Sequence, residues 1–389
     1  MTSEQVTPVD EVTWQRETRG LRVAIVHDWL TGTRGGERLL EAVVRLFPQA
    51  TLFTLVHRRG SMAAAIEQLP PRTSPLQWLP RASRWYRQYL PLFPWTVEQW
   101  DFDGFDLVIS SSHCAVKSVV APGRARHLCY CHTPVRYAWD QFAAYFGRGR
   151  TGPASLLFRL ALAAFARWDR ATSGRPDRYV ANSQYVAGRI YRYYNRRAVV
   201  VHPPVDTGFF LPDGRTPEAF YLVVSALVPY KRLDVAIEAC RRLGRSLKIV
   251  GEGPELPRLQ ALAGGQVEFV GRLSDQGVRD LYRRARAVLL PGEEDFGLVP
   301  LEAQACGRPV VALGRGGARE SVVSGVTGIL TEDASVDGFA AGLARFEQQQ
   351  FAADRIRRHA ERFSLGRFFQ ELRAVLLDLI HSPIDKVRW

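Results

Sequence analysis

Short apolar runs alternate with amphipathic helical stretches along this chain, and the alternation is carried through twice. That pattern limits the fold more than any other feature. Strands separated by helices are joined by crossovers, which makes neighbouring strands parallel and covers both sheet faces. In the first half, Leu21–His27, Thr51–Val56, Leu107–Ser110, His127–Tyr130, Tyr179–Ala181 and Ala198–Val201 have the content of buried strands, with helices at Glu37–Leu46 and Ser155–Arg170. The segment His202-Pro203-Pro204-Val205-Asp206, followed by Pro212-Asp213-Gly214, interrupts the pattern. It then restarts with strands at Tyr221–Ser225, Leu247–Val250, Val267–Val270, Ala287–Leu290 and Pro309–Ala312, between helices Leu233–Leu243, Glu255–Ala263, Ser274–Ala285 and Leu301–Cys306. The expectation is an α/β chain of two doubly wound, Rossmann-like domains, residues 21–205 and 206–364. An N-terminal extension covers 1–20, and 365–389 carries a last helix, Leu365–Ile380, returning to the first domain. Ligands in such sheets bind beyond the carboxyl ends of the strands, so the two domains are expected to face a common crevice.

A chain of 389 residues, 46% hydrophobic and 23% charged, can bury two cores and is not disordered. No apolar run is long enough for a transmembrane helix, and Met1–Arg19 is polar, without the apolar core of a secretory signal. A cytoplasmic protein is therefore expected. The five cysteines are an odd set; Cys129-x-Cys131 lacks a second pair for zinc and is read as buried strand. Net charge is +13, distributed unevenly: through Asp206 there are 27 Lys+Arg against 16 Asp+Glu, afterwards 25 against 23. The basic half should meet something anionic, and no nucleic-acid-binding motif is present. Trp78–Trp100 holds four of the nine tryptophans together with Arg81, Arg84 and Arg87. It reads either as an irregular cap packed on the sheet or as a surface where aromatic rings and arginines meet lipid headgroups.

The densest chemistry lies in Pro291-Gly292-Glu293-Glu294-Asp295-Phe296-Gly297-Leu298-Val299-Pro300-Leu301-Glu302. A strand ends, a glycine loop follows, and Pro300 sits where a helix would begin. Glu294 and Glu302 enclose seven residues, and carboxylates accept hydrogen bonds from sugar hydroxyls. One can hold a hexose and the other a ribose across a diphosphate. Gly35-Gly36 opens the first helix, where free amides suit a phosphate, although a tight strand–helix turn also needs glycine. Asp101-x-Asp103 has the form of a short metal motif but falls where a polar loop is expected, and no metal is expected there.

These segments resemble the retaining family 4 glycosyltransferases of the glycosyltransferase-B (GT-B) fold over nearly the whole chain. The matching pieces are Gly32-Thr33-Arg34-Gly35-Gly36-Glu37, Cys131-His132-Thr133-Pro134, Ser225–Arg232, Val250-Gly251-Glu252-Gly253-Pro254, Phe269-Val270-Gly271-Arg272-Leu273, the Glu-x7-Glu segment, and Gly316-Gly317 followed by Glu320. His27-Asp28-Trp29-Leu30 with Arg136-Tyr137-Ala138-Trp139-Asp140 is similar to the bacterial mannosyltransferases of O-antigen and exopolysaccharide synthesis.

The resemblance implies transfer of a hexose, with GDP-mannose as donor, to a glycan or polyprenyl-diphosphate-linked acceptor. The enzyme would sit on the inner face of the cytoplasmic membrane and need no metal or other cofactor. Catalytic roles fall on His132, Glu294 and Lys231. Donor contacts fall on Gly35, Gly36, Lys231, Arg232, Gly251, Val270, Arg272, Glu294, Phe296, Gly297, Leu298, Val299 and Glu302. Acceptor candidates are Asp28, His113, Lys117 and Asp140. Family members commonly carry an arginine where this chain has Ala226. The alternative is a nucleotide-sugar 2-epimerase or hydrolase on the same fold.

Overall fold

A computed structural model describes residues 9–139 and 153–383. The chain divides into two compact units: Met1–His202 together with Phe368–Trp389, and Pro203–Arg367.

The first unit is built on a seven-stranded parallel sheet in the order β3-β2-β1-β4-β5-β6-β7. Its strands are β1 (Val23–His27), β2 (Thr51–Thr54), β3 (Arg72–Thr73), β4 (Leu107–Ser112), β5 (Arg126–Cys131), β6 (Arg178–Ala181) and β7 (Ala198–Val200). The second unit repeats the plan in six parallel strands, ordered β10-β9-β8-β11-β12-β13. These are β8 (Phe220–Val224), β9 (Ser246–Val250), β10 (Val267–Gly271), β11 (Ala287–Leu290), β12 (Val310–Leu313) and β13 (Gly328–Thr331). The short edge strands β3 and β13 were not expected from the sequence: β3 is two residues long, and β13 opens at Gly328.

In each sheet the first strand lies inside, third from one edge. Chain order runs one way from β1 to β3 and the other way from β4 to β7, with the same reversal between β8 and β11. The loops leaving β1 and β4, and those leaving β8 and β11, therefore part to opposite faces and leave a cleft at the strand ends. Register levels the groups there. His27 pairs with Ser111, and Ser112 pairs with Cys131, so His27, Ser111 and His132 emerge together.

The first and last helices of the described residues both pack on the first unit. Asp10 caps the helix Glu11–Thr18 by accepting from the Thr13 N–H at 2.8 Å, and Trp14 is buried against Phe47 and the Arg373 guanidinium. The last helix, Leu365–His381, buries Phe368 against Tyr130, pairs Asp378 with Arg178 at 2.7 Å, and is followed by Ser382, whose carbonyl accepts from Arg126. In the tryptophan-rich segment, Leu76, Ala82, Tyr86, Leu90, Phe93 and Val97 are core, and Trp100 packs on Phe53. Trp78, Trp85 and Trp95 stay 81%, 38% and 58% exposed, so the segment is both a cap and an aromatic surface. All five cysteines are buried free thiols, Cys129 and Cys131 inside β5.

Phe368→Ala should destabilise the chain by about 3–5 kcal/mol, the cost of emptying a fully buried phenylalanine site. Urea unfolding checks it, and a change below about 1 kcal/mol would detach the last helix from the first unit's core.

Candidate active site

Each cleft gathers polar groups. In the first unit three imidazoles meet at the ends of β1, β4 and β5, with ring centroids 5.7 Å (His27–His113), 6.4 Å (His27–His132) and 6.1 Å (His113–His132) apart. Ser111 Oγ bridges two of them, 3.1 Å from His27 Nδ1 and 2.9 Å from His132 Nε2. The other side of His27 faces the helix Gly35–Leu46, where Glu37 Oε1 lies 3.8 Å from His27 Nε2. Glu37 Oε2 accepts from the Arg34 N–H at 2.9 Å, closing the capping box of that helix. Gly36 packs against both rings: a Cβ there would sit 3.8 Å from His132 and from His27.

Burial drives the proton affinity of His132 well below its ordinary value, and the neighbouring imidazoles His113 and His27 add to this. Burial likewise lowers His113, although the Asp28 carboxylate pulls the other way. Burial works against the Glu37 carboxylate, but its contact with the His27 ring holds it below the usual range. His132 and His113 are thus neutral imidazoles near pH 7, in a site that also holds the ionised Glu37.

Two acceptor candidates are corrected here. Asp28 is fully buried, and its carboxylate accepts four backbone N–H bonds, from His113, Cys114, Ala115 and Val116, at 2.7 to 3.1 Å. With His113 Nδ1 also 3.3 Å away, both oxygens are committed to holding the turn after β4. Lys117 is equally occupied. It is 1% exposed, pairs with Asp169 Oδ1 at 3.0 Å, donates to the Asp169 carbonyl and Ser118 Oγ, and lies over the Tyr194 ring. Asp169 Oδ2 in turn accepts from Trp139 and Tyr194. A buried pair of this kind ties helices together and has no cation left for a ligand. His113 remains part-exposed at the cleft, and Asp140 lies outside the described residues.

In the second unit, Lys231 Nζ meets Glu294 Oε1 at 2.5 Å, joining the turn after β8 to the loop after β11. Both side chains are largely buried, so the pair is more than a solvated surface contact. The loop is held in place by close backbone contacts. Gly317 N–H donates to the Glu294 carbonyl at 2.8 Å, and Gly316, at φ +60°, lies where a Cβ would come within 2.1 Å of that oxygen. Gly251, at φ +136°, meets the Ser225 carbonyl so closely that a Cβ would sit 1.9 Å away, so packing alone demands glycine there.

Glu302 is buried on the helix Val299–Ala305 and accepts from Tyr282 Oη–H at 2.9 Å. Gly297, Leu298, Val299 and Val270 are half-buried near this loop or at the end of β10, and Arg272 is exposed beyond it. Phe296 needs correction: its ring is 2% exposed, in the core with Phe363, so its side chain is packing and not a donor contact. Arg232 is turned to Asp234, 3.3 Å away, which leaves Lys231 as the cation facing Glu294. Asp101 accepts from the Asp103 N–H at 2.7 Å, an Asx turn. Among the described residues no three His, Cys, Asp or Glu side chains form a metal-holding group.

Residues 19–209 match the model of Glycosyltransferase Family 4, and residues 212–363 that of Glycosyl transferases group 1. The chain belongs to family 4 of the glycosyltransferases. A D-inositol 3-phosphate glycosyltransferase of Geodermatophilus obscurus is 34% identical over 230 residues, 50% of this chain and 51% of that protein. An uncharacterized glycosyltransferase of Methanocaldococcus jannaschii is 29% identical over 161 residues, 40% and 45% of the two chains. The chain spans about half the length of the curated relatives it matches. In the Anabaena HepE crystal structure in complex with UDP, the whole chain superposes on 92% of this one with a TM-score of 0.68 at 16% identity. The lipopolysaccharide outer core galactosyltransferase WaaB, in apo form, gives 0.61 at 19% identity over 92% and 100% of the chains. At such identities the likeness is one of fold, and the fold is GT-B. The epimerase or hydrolase alternative gains no support from these relatives.

Glu37, His27 and Ser111 join the candidate residues of the family 4 first unit, although none was singled out from the sequence as a site residue. The available signals were Glu37 at the third helical position and a serine run ending β4.

The histidine site makes a pH prediction. Unfolded, His132 and His113 take protons near pH 6.5; folded, burial delays this to lower pH. Between those values the unfolded state holds more protons, so stability falls as pH drops below about 6.5. Urea titrations from pH 7 to 5 should show this slope, shallower in His132→Gln. An unchanged slope in the variant would contradict the burial argument.

Proposed function

We propose that this chain is a retaining glycosyltransferase moving a hexose from a nucleotide-diphosphate sugar to a lipid-linked or glycan acceptor. The observation that carries the reading is the Lys231–Glu294 pair at the cleft of the second unit. A diphosphate entering there competes for the ammonium. As Lys231 turns to the phosphates, Glu294 is released to accept from a sugar hydroxyl. Lys231 then offsets the charge that builds on the leaving group. The C1–phosphate bond breaks while the acceptor oxygen bonds C1 on the same face, and the departing phosphate oxygen takes the acceptor's proton. This route needs no enzyme nucleophile, and we assign the chain no metal. Ala226 leaves Lys231 to do this without a neighbouring arginine.

GDP-mannose is the donor we favour, on the resemblance of the His27–Leu30 run and its partner segment. Within that run Asp28 and Trp29 serve the fold: Asp28 caps a turn, and Trp29 is buried against Tyr86, Phe93 and His113. The named relatives point to a phosphorylated polyol, D-inositol 3-phosphate, as another acceptor chemistry.

Glu294→Ala should lower kcat about ten- to a hundredfold, the range for a hydrogen bond to a charged group. Glu302→Gln, which keeps the Tyr282 bond, should mainly raise the donor KM. Wild-type kinetics in both, with folding intact, would remove the donor-site assignment.

A membrane-linked acceptor suits the surface formed by Trp78, Trp85, Trp95 and Leu92 with the exposed Arg81, Arg84 and Arg87. Exposed indoles settle at headgroup depth, and each basic residue near an anionic bilayer adds about 1 kcal/mol. No helix among the described residues is long and apolar enough to cross a membrane, so any attachment through this segment would be peripheral. The protein should co-sediment with anionic liposomes at low salt, less so when Arg84, Trp85 and Arg87 are replaced together. Wild type remaining in the supernatant would overturn the membrane reading.

A further inference from the structure

The four groups Glu37, His27, Ser111 and His132 form one buried chain, and its hydrogen-bond polarity follows from the end that cannot change. Glu37 is an ionised carboxylate and an acceptor only. One of its oxygens takes the Arg34 N–H, and the other faces His27 Nε2 at 3.8 Å. That nitrogen is fully buried, with no hydrogen-bond partner, so its proton is favoured there by the carboxylate alone. With a single proton, held on Nε2 against the carboxylate, His27 has a lone pair on Nδ1, and that lone pair accepts from Ser111 Oγ–H. The serine has one proton. Having donated it to His27, Ser111 can only accept from the second imidazole, so His132 carries its proton on Nε2, 2.9 Å from Oγ. His132 Nδ1 is then a lone pair.

We propose that Glu37, His27 and Ser111 are positioning residues that fix His132 in the tautomer protonated on Nε2, leaving Nδ1 to accept a hydrogen bond from a hydroxyl of a sugar held at the first unit's cleft. The role toward sugar rests on the glycosyltransferase reading; the tautomer does not. The same chain explains why a serine stands between two imidazoles. A hydroxyl passes on polarity because it both donates and accepts, which an alanine cannot do. It also explains the capping glutamate beyond its cap, since one carboxylate closes the helix start and orients an imidazole. Burial, which keeps His132 neutral, preserves the lone pair that the arrangement creates.

Glu37→Gln should invert the chain. The Arg34 N–H retains the amide oxygen, which turns the amide NH2 toward His27 Nε2. His27 then protonates on Nδ1 and donates to Ser111, Ser111 donates to His132 Nε2, and His132 carries its proton on Nδ1. Nitrogen-15 NMR of histidine-labelled full-length protein reads this directly, with His132→Gln assigning the signal among the eight histidines. The expected result is a pyridine-like Nδ1 in the wild type and a pyrrole-like Nδ1 in Glu37→Gln, with no inversion when Ser111→Ala is added. A wild-type His132 protonated on Nδ1, or one whose tautomer ignores Glu37→Gln, would overturn the proposal. Should Glu37→Gln not fold, Ser111→Ala alone must abolish the fixed tautomer.

The functional arm is kinetic. Ser111→Ala should lower kcat of sugar transfer about tenfold, the scale of one lost hydrogen bond, with donor KM little changed and Ser111→Thr restoring the rate. Tautomer inversion without any kinetic effect would overturn the sugar-binding role while leaving the relay intact.

Discussion

The reversal of strand order beside the first strand of each sheet is the constraint on which the rest depends. β1 sits between β2 and β4, and β8 between β9 and β11. Right-handed crossovers on either side of these strands must cover opposite sheet faces, so the loops part at β1/β4 and β8/β11. The backbone opens there without any cost to the core, and both sets of candidate residues lie at those openings. His27 ends β1, Ser111 lies near the end of β4, His113 follows β4 and His132 follows β5, while Lys231 and Glu294 follow β8 and β11.

Placing charge in such clefts is costly unless each group has a partner, and the chain solves this differently in its two units. The first unit spends its carboxylates on backbone and imidazole: Asp28 on four amides, Glu37 on a helix start and His27. The second holds a lysine against a carboxylate, a pair that an anionic ligand can part. Replacing one member of a buried pair strands the other. That is why Lys117, sealed against Asp169, behaves as structure, whereas Lys231, 17% exposed at the loop, can be reached by a ligand.

Much of this was readable in the residues. The repeated strand–helix alternation announced two parallel sheets, and the Glu-x7-Glu loop with its glycines announced the second unit's cleft. What escaped was everything set by contacts distant in sequence. Lys117 looked like a loop cation because Asp169, fifty-two positions away, is invisible to local pattern. Asp28 looked like a cleft carboxylate because nothing near it in sequence shows the four amides after β4 that consume it. Phe296 lies inside the motif yet turns into the core, since spacing does not say which way a loop side chain faces. Ser111 was passed over as one of three serines, and only strand register set it between two imidazoles. The edge strand β3 was too short to carry a period.

The most direct measurement is thermal unfolding with GDP, UDP and ADP, against inorganic phosphate as control. A ligand that binds only the native state at one hundred times its Kd adds about 2.7 kcal/mol of stability. One nucleoside diphosphate should raise Tm well beyond phosphate, and the gain should disappear in Lys231→Met. If none of the three shifts Tm, or if the shift survives in Lys231→Met, the second unit's cleft does not hold a nucleotide-diphosphate donor in the way the Lys231–Glu294 pair implies.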